Sequence, residues 1–395
     1  MSSPDTRNAL KIKTVADARR LAQRRLPAPV FDYIDGAAGA EVTVRANREG
    51  LEAVRFRPRL ATTVGTEPRE LATRILDDDL ALPVIVGPVG FTRSMHPSGD
   101  AGGLAAAAKA RTAFCHSSMS GQSIEELATT ATSPYWFQLY FLGGRQGAEQ
   151  LVDRAARSGC HTIVLTIDTP VPGNRERDLQ YGAALPVRIN RSTIRRMAPL
   201  VIGHPQWLLN TARDRFTLNL ANAVGLTRSG KVLTEDEALL YWIVEPPTWN
   251  DVVWLRENWK GRLLVKGVVT GDDAKHAIDL GADGVIVSNH GGRQLDQCAS
   301  TVEALAEVVD ALGPSATVLV DGGIRRGSDV VAAMCLGARA VLLGRAWVYG
   351  LGAAGELGVT RVLDIIKADV IRTMQLLGAR RVSDLDRSFL SLPKR

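Results

Sequence analysis

Residues 284–296 read GVIVSNHGGRQLD, an apolar run followed by a polar turn with two adjacent glycines. The run Gly284 to Val287 has the composition of a strand that is buried on both faces, as in a parallel sheet. The glycines let the backbone turn sharply and let a flat ligand approach closely. His290 can take a proton near neutral pH, and Arg293 can hold a carboxylate by two parallel hydrogen bonds. The stretch therefore predicts a strand that ends in a substrate site, with an ordinary polar loop as the alternative.

The same pattern, a short apolar run followed by a stretch with helical spacing, recurs from residue 83 onwards. Eight such strand–helix units in series predict an α/β fold, a (β/α)₈ TIM barrel. An open doubly wound sheet is the alternative, but it usually has fewer units, and no GxGxxG motif follows the first strand. The predicted strands are Val84–Val89, Ala113–Ser118, Tyr135–Phe141, Thr162–Asp168, Leu263–Val268, Gly284–Asn289, Thr317–Gly323 and Ala340–Arg345.

The barrel is expected to lie between an N-terminal helical lead-in and a short C-terminal tail. A long insertion follows its fourth strand, because about eighty residues without a barrel strand separate Asp168 from Thr248. A loop of that length in a compact domain is either functional or disordered. The predicted divisions are 1–82 for the lead-in, with helices near 14–25, 30–36 and 41–51, then 83–378 for the barrel and 379–395 for the tail.

Residues 180–231 make the insertion strongly basic. They contain eight Arg or Lys residues and one acid, Asp214, which gives a net charge of +7, whereas the whole chain carries +6. Apolar residues, among them Ile202, Trp207 and Leu209, are interleaved with these charges. A basic, apolar, tryptophan-containing segment suits an anchor at a membrane surface, and a lid or an oligomer contact is an equal alternative. Nucleic acid is disfavoured because no recognised binding fold accompanies the charge.

The composition suits an ordinary soluble core, with 45% hydrophobic residues in 395. The four cysteines are far apart and form no CxxC pair, so we expect a reduced intracellular protein without a structural metal. Residues 1–13 lack the apolar segment of a signal peptide, and no apolar run approaches the length of a membrane-spanning helix. These features predict a cytoplasmic protein, peripheral on the inner face of the cell membrane if the insertion is an anchor.

Glycines and arginines are concentrated where the seventh and eighth predicted strands end, the edge at which barrels place their reactive groups. Gly322, Gly323 and Gly344 can expose backbone N–H groups, and a predicted helix follows each cluster. Arg325 and Arg345 add positive charge. This combination predicts a phosphate pocket.

Ionisable residues at the other strand ends predict proton chemistry. Lys266, on the fifth strand, could neutralise an anion or form a Schiff base with a carbonyl. Asp168, at the end of the fourth strand, could orient and charge the imidazole of His290. A buried ion pair between Asp168 and Lys266, with Tyr140 as a core residue, is the purely structural alternative.

Together these motifs resemble the FMN-dependent L-2-hydroxy acid dehydrogenase/oxidase family, which includes glycolate oxidase, quinone-reducing lactate dehydrogenases and (S)-mandelate dehydrogenase. The resemblance runs from about residue 14 to the C-terminus, and the basic insertion most resembles the bacterial membrane-associated lactate and mandelate dehydrogenases. It implies FMN as cofactor and oxidation of an L-2-hydroxy acid, with lactate or mandelate as leading candidates, to the 2-oxo acid. The motifs are FDY at 31–33, WFQLY at 136–140, LTIDTP at 165–170, LVKG at 264–267, SNHGGRQLD at 288–296 and DGGIRRG at 321–327.

The resemblance also implies a role for each matching residue. His290 removes a proton from the substrate, and Asp168 pairs with it and stabilises the imidazolium. Arg175 and Arg293 hold the substrate carboxylate, and Tyr33 also donates to it. The other implied contacts are Tyr140 with the substrate hydroxyl or the developing carbonyl; Lys266 with the flavin ring, whose negative charge it stabilises; Pro88, Val89, Gly90, Ser117, Gln138, Thr166 and Ser288 along the flavin; Asp321 with the ribityl chain; and Gly322, Gly323, Arg325, Gly344 and Arg345 around the phosphate.

Two residues depart from the pattern of the family's oxidases. Met119 stands where glycolate oxidases have Trp, which disfavours a short-chain glycolate substrate. Gly90 stands where the oxidases have Ala, as in members that pass electrons to a quinone. A quinone or similar acceptor is therefore expected, and an oxidase that forms H₂O₂ or a flavin-free Schiff-base aldolase is the alternative. The resemblance also favours a homo-oligomer, in particular a tetramer.

Overall fold

Eight parallel strands close into a barrel, and they follow one another around it in chain order. The computed structural model describes residues 3–60, 68–181, 191–214 and 219–391. Each predicted strand is present, so the TIM barrel is confirmed and the open sheet is excluded. The strands are β1 (Val84–Val86), β2 (Phe114–Ser117), β3 (Tyr135–Leu139), β4 (Thr162–Thr166), β5 (Arg262–Val268), β6 (Gly284–Val287), β7 (Val318–Val320) and β8 (Ala340–Leu343).

Helices surround the barrel, and each strand alternates between this outer layer and the barrel interior. In β6, Val285 and Val287 pack in the outer core, whereas Ile286 packs inside the barrel with residues such as Leu264 and Leu319. Burial on both faces explains why β6 is an unbroken apolar run. The helices are α1 (Pro4–Lys11), α2 (Val15–Arg25), α3 (Ala28–Asp35), α4 (Val42–Ala53), α5 (Gly99–Ala110), α6 (Ile124–Ala128), α7 (Gly144–Arg157), α8 (Glu176–Leu179), α9 (Arg191–Ile202), α10 (Pro205–Arg213), α11 (Glu235–Val244), α12 (Trp249–Asn258), α13 (Gly271–Asp279), α14 (Thr301–Leu312), α15 (Gly327–Leu336) and α16 (Arg345–Leu377).

The N-terminal lead-in is only partly helical. The three predicted helices are α2, α3 and α4, but α1 and a short hairpin, Thr73–Ile75 paired with Asp78–Leu80, were not predicted. Ile75 and Leu80 of the hairpin pack against the residues that fill the barrel interior, and the indole nitrogen of Trp136 donates to Asp78 at 2.7 Å. Strands of three residues are too short to show a periodicity, which is why the sequence did not reveal this hairpin.

Part of the insertion after β4 packs on the barrel, since Leu220, Ala223 and Leu226 are buried in the core that surrounds it. It contains α8, α9, α10, a small hairpin at Thr227–Arg228 and Lys231–Val232, and α11. Residues 182–190 and 215–218, and with them the predicted basic residues Arg188 and Arg215, lie outside the described residues. In the described ranges, none of the helices is both long and apolar enough to cross a membrane.

Candidate active site

A pocket opens at the carboxyl ends of the barrel strands, and it gathers the predicted site residues. Every one of them lines this pocket except Asp168 and Ser288, which lie directly behind it. Asp168 contacts His290, and Ser288 contacts Lys266. Tyr33 reaches the pocket from the lead-in helix α3, so the lead-in forms one wall of the site.

His290 is held in place from several sides. Its Nδ1 atom lies 2.9 Å from Oδ1 of Asp168, and its Nε2 atom lies 3.3 Å from the hydroxyl of Tyr140. Its backbone has a φ of 56°, a left-handed conformation, and its backbone N–H donates to Oγ of Ser288 at 3.0 Å. Non-glycine residues in this conformation are uncommon and persist where the surroundings hold them. The arrangement therefore suits a positioned proton acceptor.

Burial and neighbouring charge act in opposite directions on the carboxylate behind His290. Burial alone would raise the pKa of Asp168, but the positive potential of His290 and Lys266 leaves that pKa lowered. Asp168 is thus an anion that can orient the imidazole and stabilise its protonated form. Burial raises the pKa of the Tyr140 hydroxyl well above its ordinary value, so this hydroxyl stays protonated and can donate a hydrogen bond.

Arg175, Arg293 and Tyr33 form one side of the pocket. The guanidinium carbons of Arg293 and Arg175 lie 4.9 and 6.0 Å from the centre of the Tyr33 ring. The Nη1 atom of Arg293 donates to the carbonyls of Tyr33, at 2.5 Å, and Gly36, at 3.1 Å, so its other nitrogens remain for a ligand. Burial and the nearby charge of Arg175 lower the pKa of Arg293 to about 9. Two cations placed this close together are stabilised by an anion, as a substrate carboxylate would be.

Lys266 is a buried ammonium group between two acceptors. Its Nζ atom lies 2.9 Å from Oδ2 of Asp321 and donates to Oγ of Ser288 at 2.8 Å. Burial lowers the pKa of Lys266, but the charges of Asp321 and Asp168 outweigh it and leave the pKa raised. A Schiff base forms from a neutral amine, so this environment disfavours the aldolase alternative. A permanent positive charge in the pocket can instead stabilise an anionic ligand.

Several buried polar atoms that line the pocket have no partner within the protein, and their positions fit FMN. They include Nε2 of Gln138 on β3, Oγ1 of Thr166 on β4 and Oδ1 of Asp321 after β7. Buried polar groups are almost always hydrogen-bonded in native proteins. A flavin ring with its ribityl hydroxyls offers both donors and acceptors, so it can satisfy such atoms at several points of the pocket.

The predicted phosphate end of the pocket contains one unexpected contact. The Nε, Nη1 and Nη2 atoms of Arg345 donate to the backbone carbonyls of Ile34, Gly291 and Gly36, respectively, at 2.7–2.9 Å. Its side chain therefore ties α3 to the turn after β6. A contact of Arg345 with a phosphate stays a prediction. Because the side chain is already hydrogen-bonded, the backbone N–H of Arg345 at the start of α16 would have to make that contact. The side chain of Arg325 remains on the pocket wall.

Sequence reasoning missed two residues that shape the site. Asn47 in α4 is fully buried and forms a reciprocal amide pair with Asn289, with both N···O distances 2.8 Å. Asn289 also accepts from the N–H of Gly292, so the pair holds the turn that carries His290. A polar residue on the buried side of a predicted helix was the available signal. Trp242 in α11 also lines the pocket, 5.2 Å from Tyr140 between ring centres, and nothing in the local sequence indicated it.

These features together define a barrel oxidoreductase that uses a flavin. The chain belongs to the FMN-dependent dehydrogenase family, whose model matches residues 22–392, and FMN is its cofactor. Its relatives include an L-lactate dehydrogenase of Pseudomonas syringae, 39% identical over 96% of this chain and 98% of the relative.

Solved structures agree in fold over nearly the whole chain. The monotopic membrane protein (S)-mandelate dehydrogenase superposes with a TM-score of 0.88, at 39% identity over 96% of this chain and 99% of that one. A mandelate oxidase mutant with (S)-mandelic acid superposes with a TM-score of 0.79, at 33% identity over 96% and 98% of the two chains. The predicted family and cofactor are thus confirmed.

Proposed function

We propose that the protein oxidises an L-2-hydroxy acid of the lactate or mandelate type to the 2-oxo acid. The observation that carries this proposal is that one pocket contains the imidazole of His290, paired with Asp168, and the guanidinium groups of Arg175 and Arg293. A base and a carboxylate clamp are the two groups that a 2-hydroxy acid requires. The similarity to lactate and mandelate dehydrogenases supports the same class of substrate.

The proposed chemistry assigns a task to each residue of the pocket. Arg175 and Arg293 bind the substrate carboxylate and place its hydroxyl near Nε2 of His290 and the hydroxyl of Tyr140. His290 takes a proton from the substrate, and Asp168 stabilises the resulting imidazolium. Bound FMN supplies an acceptor for two electrons. The remaining proposed contacts are Lys266 near the flavin ring, where it stabilises negative charge; Gln138, Thr166, Ser117, Ser288 and residues 88–90 along the flavin; Asp321 on the ribityl chain; and Gly322, Gly323, Arg325, Gly344 and Arg345 at the phosphate.

We propose a quinone or similar acceptor, supported by Gly90 and by the similarity to (S)-mandelate dehydrogenase, a monotopic membrane protein. The similarity to a mandelate oxidase keeps oxygen as the alternative acceptor. A lipid-soluble quinone suits a peripheral protein on the inner face of the cell membrane. In the insertion, Ile202 and Leu209 are 71% and 46% exposed and are available to a bilayer, whereas Trp207 is buried and donates to the carbonyl of Ser94 at 2.7 Å. We also propose a homo-oligomer, with a tetramer favoured by the family resemblance.

Substrate-driven reduction of the flavin tests the proposal directly. The purified protein should be yellow, and anaerobic addition of (S)-lactate or (S)-mandelate should bleach the flavin absorbance. Turnover should then be compared between a quinone analogue and oxygen at equal concentration. A flavin that no 2-hydroxy acid reduces would contradict the proposed reaction, and faster turnover with oxygen would favour an oxidase.

A further inference from the structure

One unpaired polar atom in the pocket is not explained by the flavin or by the substrate carboxylate. Among the described residues that line the pocket, the buried atoms without a partner are Nε2 of Gln138, Oγ1 of Thr166, Nε of Arg175, Oδ1 of Asp321 and Nε1 of Trp242. The proposed flavin contacts account for Gln138, Thr166 and Asp321, and the carboxylate accounts for Arg175. Neither the flavin nor the substrate carboxylate accounts for the indole N–H of Trp242.

Trp242 differs in this respect from the other buried tryptophans of the described chain. Each of those donates its indole N–H: Trp136 to Asp78, Trp207 to Ser94, Trp259 to Arg262 and Trp347 to Gly87, at distances between 2.7 and 3.0 Å. Trp242 is as buried as these, at 6% exposed, and yet its N–H has no partner. Buried indole N–H groups usually find an acceptor, so the missing acceptor of Trp242 points to a ligand.

The position of Trp242 separates it from the predicted flavin contacts. It lies on α11, outside the barrel strands, and its ring packs against Tyr140, whose hydroxyl lies 3.3 Å from Nε2 of His290. It is thus next to the group that faces the substrate hydroxyl. The helix is firmly placed, because Thr234 and Glu237 cap its start and the carbonyl of Ala238 accepts from the N–H of Gly143 at 2.9 Å. A fixed donor beside the reacting end of a substrate can select among side chains.

We propose that Trp242 is a specificity-determining residue that donates a hydrogen bond to an oxygen on the side chain of the substrate. This inference rests on the proposed function and deepens it. The preferred substrate is then a 2-hydroxy acid whose side chain carries an acceptor oxygen. The methyl group of lactate and the phenyl group of mandelate have no such oxygen, so both are predicted to be weaker substrates than an oxygen-bearing relative.

The test compares wild type with Trp242→Phe, which keeps an aromatic ring against Tyr140 and removes the donor. The substrates are matched pairs: (S)-lactate with L-glycerate, and (S)-mandelate with its ring-hydroxylated and ring-methoxylated derivatives. In wild type, at least one oxygen-bearing acid should exceed its parent in kcat/KM. In Trp242→Phe the ratio of kcat/KM between the oxygen-bearing acid and its parent should fall about tenfold. The methoxy oxygen can accept a hydrogen bond but cannot donate one. An advantage of the methoxylated acids would therefore show that the protein is the donor.

Trp254→Phe is the matched control, because Trp254 is a partly exposed tryptophan that packs on Phe141 and Arg145 away from the pocket. Trp254→Phe should leave the ratio of kcat/KM between each oxygen-bearing acid and its parent unchanged. The affinity of the apoprotein for FMN should be the same in wild type and Trp242→Phe, and a loss of affinity would assign the indole N–H to the cofactor and overturn the proposal. Equal ratios in wild type and Trp242→Phe would also overturn it. Failure of every acid to reduce the flavin would instead contradict the proposed function.

Discussion

The Nδ1 atom of His290 lies 2.9 Å from Oδ1 of Asp168, although 122 positions separate the two residues in the chain. Because an ionised carboxylate can only accept, the neutral imidazole carries its proton on Nδ1. The lone pair is therefore on Nε2, the atom that lies beside the Tyr140 hydroxyl. In the proposed reaction, this relationship makes Nε2 the nitrogen that takes the proton of the substrate.

Replacing His290 with Asn should leave FMN bound and should abolish fast reduction of the flavin by substrate. The side chain supplies the proposed base, and general-base catalysis contributes about 10²–10⁴-fold. Asp168→Asn should lower the rate as well, because an amide does not stabilise the imidazolium as a carboxylate does. Anaerobic stopped-flow measurement of flavin reduction checks both variants. Reduction by His290→Asn at close to the wild-type rate would remove His290 from the proposed role.

Arg293→Lys should impair the enzyme although the charge is kept. One nitrogen of Arg293 already holds the carbonyls of Tyr33 and Gly36, and the residue lines the pocket. A lysine has a single nitrogen and cannot both anchor this backbone and clamp a carboxylate. We expect KM for lactate and mandelate to rise at least tenfold, about 1.4 kcal/mol. Arg157→Lys, on the exposed end of α7, is the control, and unchanged kinetics in Arg293→Lys would place Arg293 outside the substrate site.

The barrel and most of the pocket were predictable because both follow from local patterns. The eight apolar runs mark strands, and a parallel barrel brings the ends of those strands together wherever they occur in the chain. What the sequence did not reveal depends on contacts between distant segments. Asn47 pairs with Asn289, Trp242 packs on Tyr140, and Arg345 binds the carbonyls of Ile34 and Gly36.

Gly90→Ala should raise the reactivity of the reduced flavin with oxygen, as the family resemblance implies. The structure adds a second effect, since a Cβ at Gly90 would lie 2.7 Å from Cβ of Met119 and 3.5 Å from the Tyr33 hydroxyl. The Met119 segment must move, so KM for the acid should rise too. Stopped-flow reoxidation of the reduced enzyme in aerated buffer measures the first effect, and steady-state kinetics measures the second.

The double variant Gly90→Ala with Met119→Gly separates these two effects. It removes the Cβ that the new methyl group would meet while the methyl group itself remains. If the methyl group alone governs access to oxygen, the double variant should reoxidise as fast as the single variant but regain substrate affinity. Reoxidation of the single variant at or below the wild-type rate would argue against Gly90 as the residue that selects the acceptor.

The buried carboxyl group of Asp100 should make the free energy of unfolding fall as the pH rises. It is fully buried, accepts from the hydroxyl of Thr92 at 2.7 Å, and its burial raises the pKa of the carboxyl to about 6. The folded protein then binds this proton more tightly than the unfolded chain, so the contribution of Asp100 to stability falls as the pH rises from about 4 to about 6. Asp100→Asn lacks this titration. Lowering the pH from 7 to 5 should therefore raise the stability of wild type relative to Asp100→Asn, by about 1 kcal/mol.

Urea unfolding of both proteins at pH 7 and pH 5 measures this difference. Asp272→Asn, at the exposed start of α13, controls for the loss of any carboxylate. Between pH 7 and pH 5, its stability relative to wild type should change less than that of Asp100→Asn. A difference between wild type and Asp100→Asn that stays constant or changes in the opposite direction would show that Asp100 does not take up a proton in this range.

The structure changes how the charge of the insertion should be counted. Arg228 pairs with Glu245, and Lys231 pairs with Glu237, both with acids outside residues 180–231. Asp214, the acid within this range, pairs with Arg93. The positive charge available to a membrane therefore comes from the residues before Arg228, which include the exposed Arg195 and Arg213. Residues from Leu220 to Leu226 pack on the barrel and should be kept in any shortened variant.

The double variant Ile202→Glu with Leu209→Glu should weaken binding to a membrane without affecting the flavin. Wild type should sediment with anionic vesicles at low salt and be partly released at high salt, because basic residues contribute roughly 1 kcal/mol each and are screened over about 8–10 Å. The two exposed apolar side chains should resist that release, and two carboxylates in their place should weaken binding at low salt and make the release at high salt complete. Leu376→Glu, at an apolar position of α16 that is 70% exposed, is the control and should bind vesicles like wild type. Reduction of the flavin by substrate should be equal in all three proteins. A wild-type protein that ignores anionic vesicles at low salt would make the insertion a lid or an oligomer contact instead.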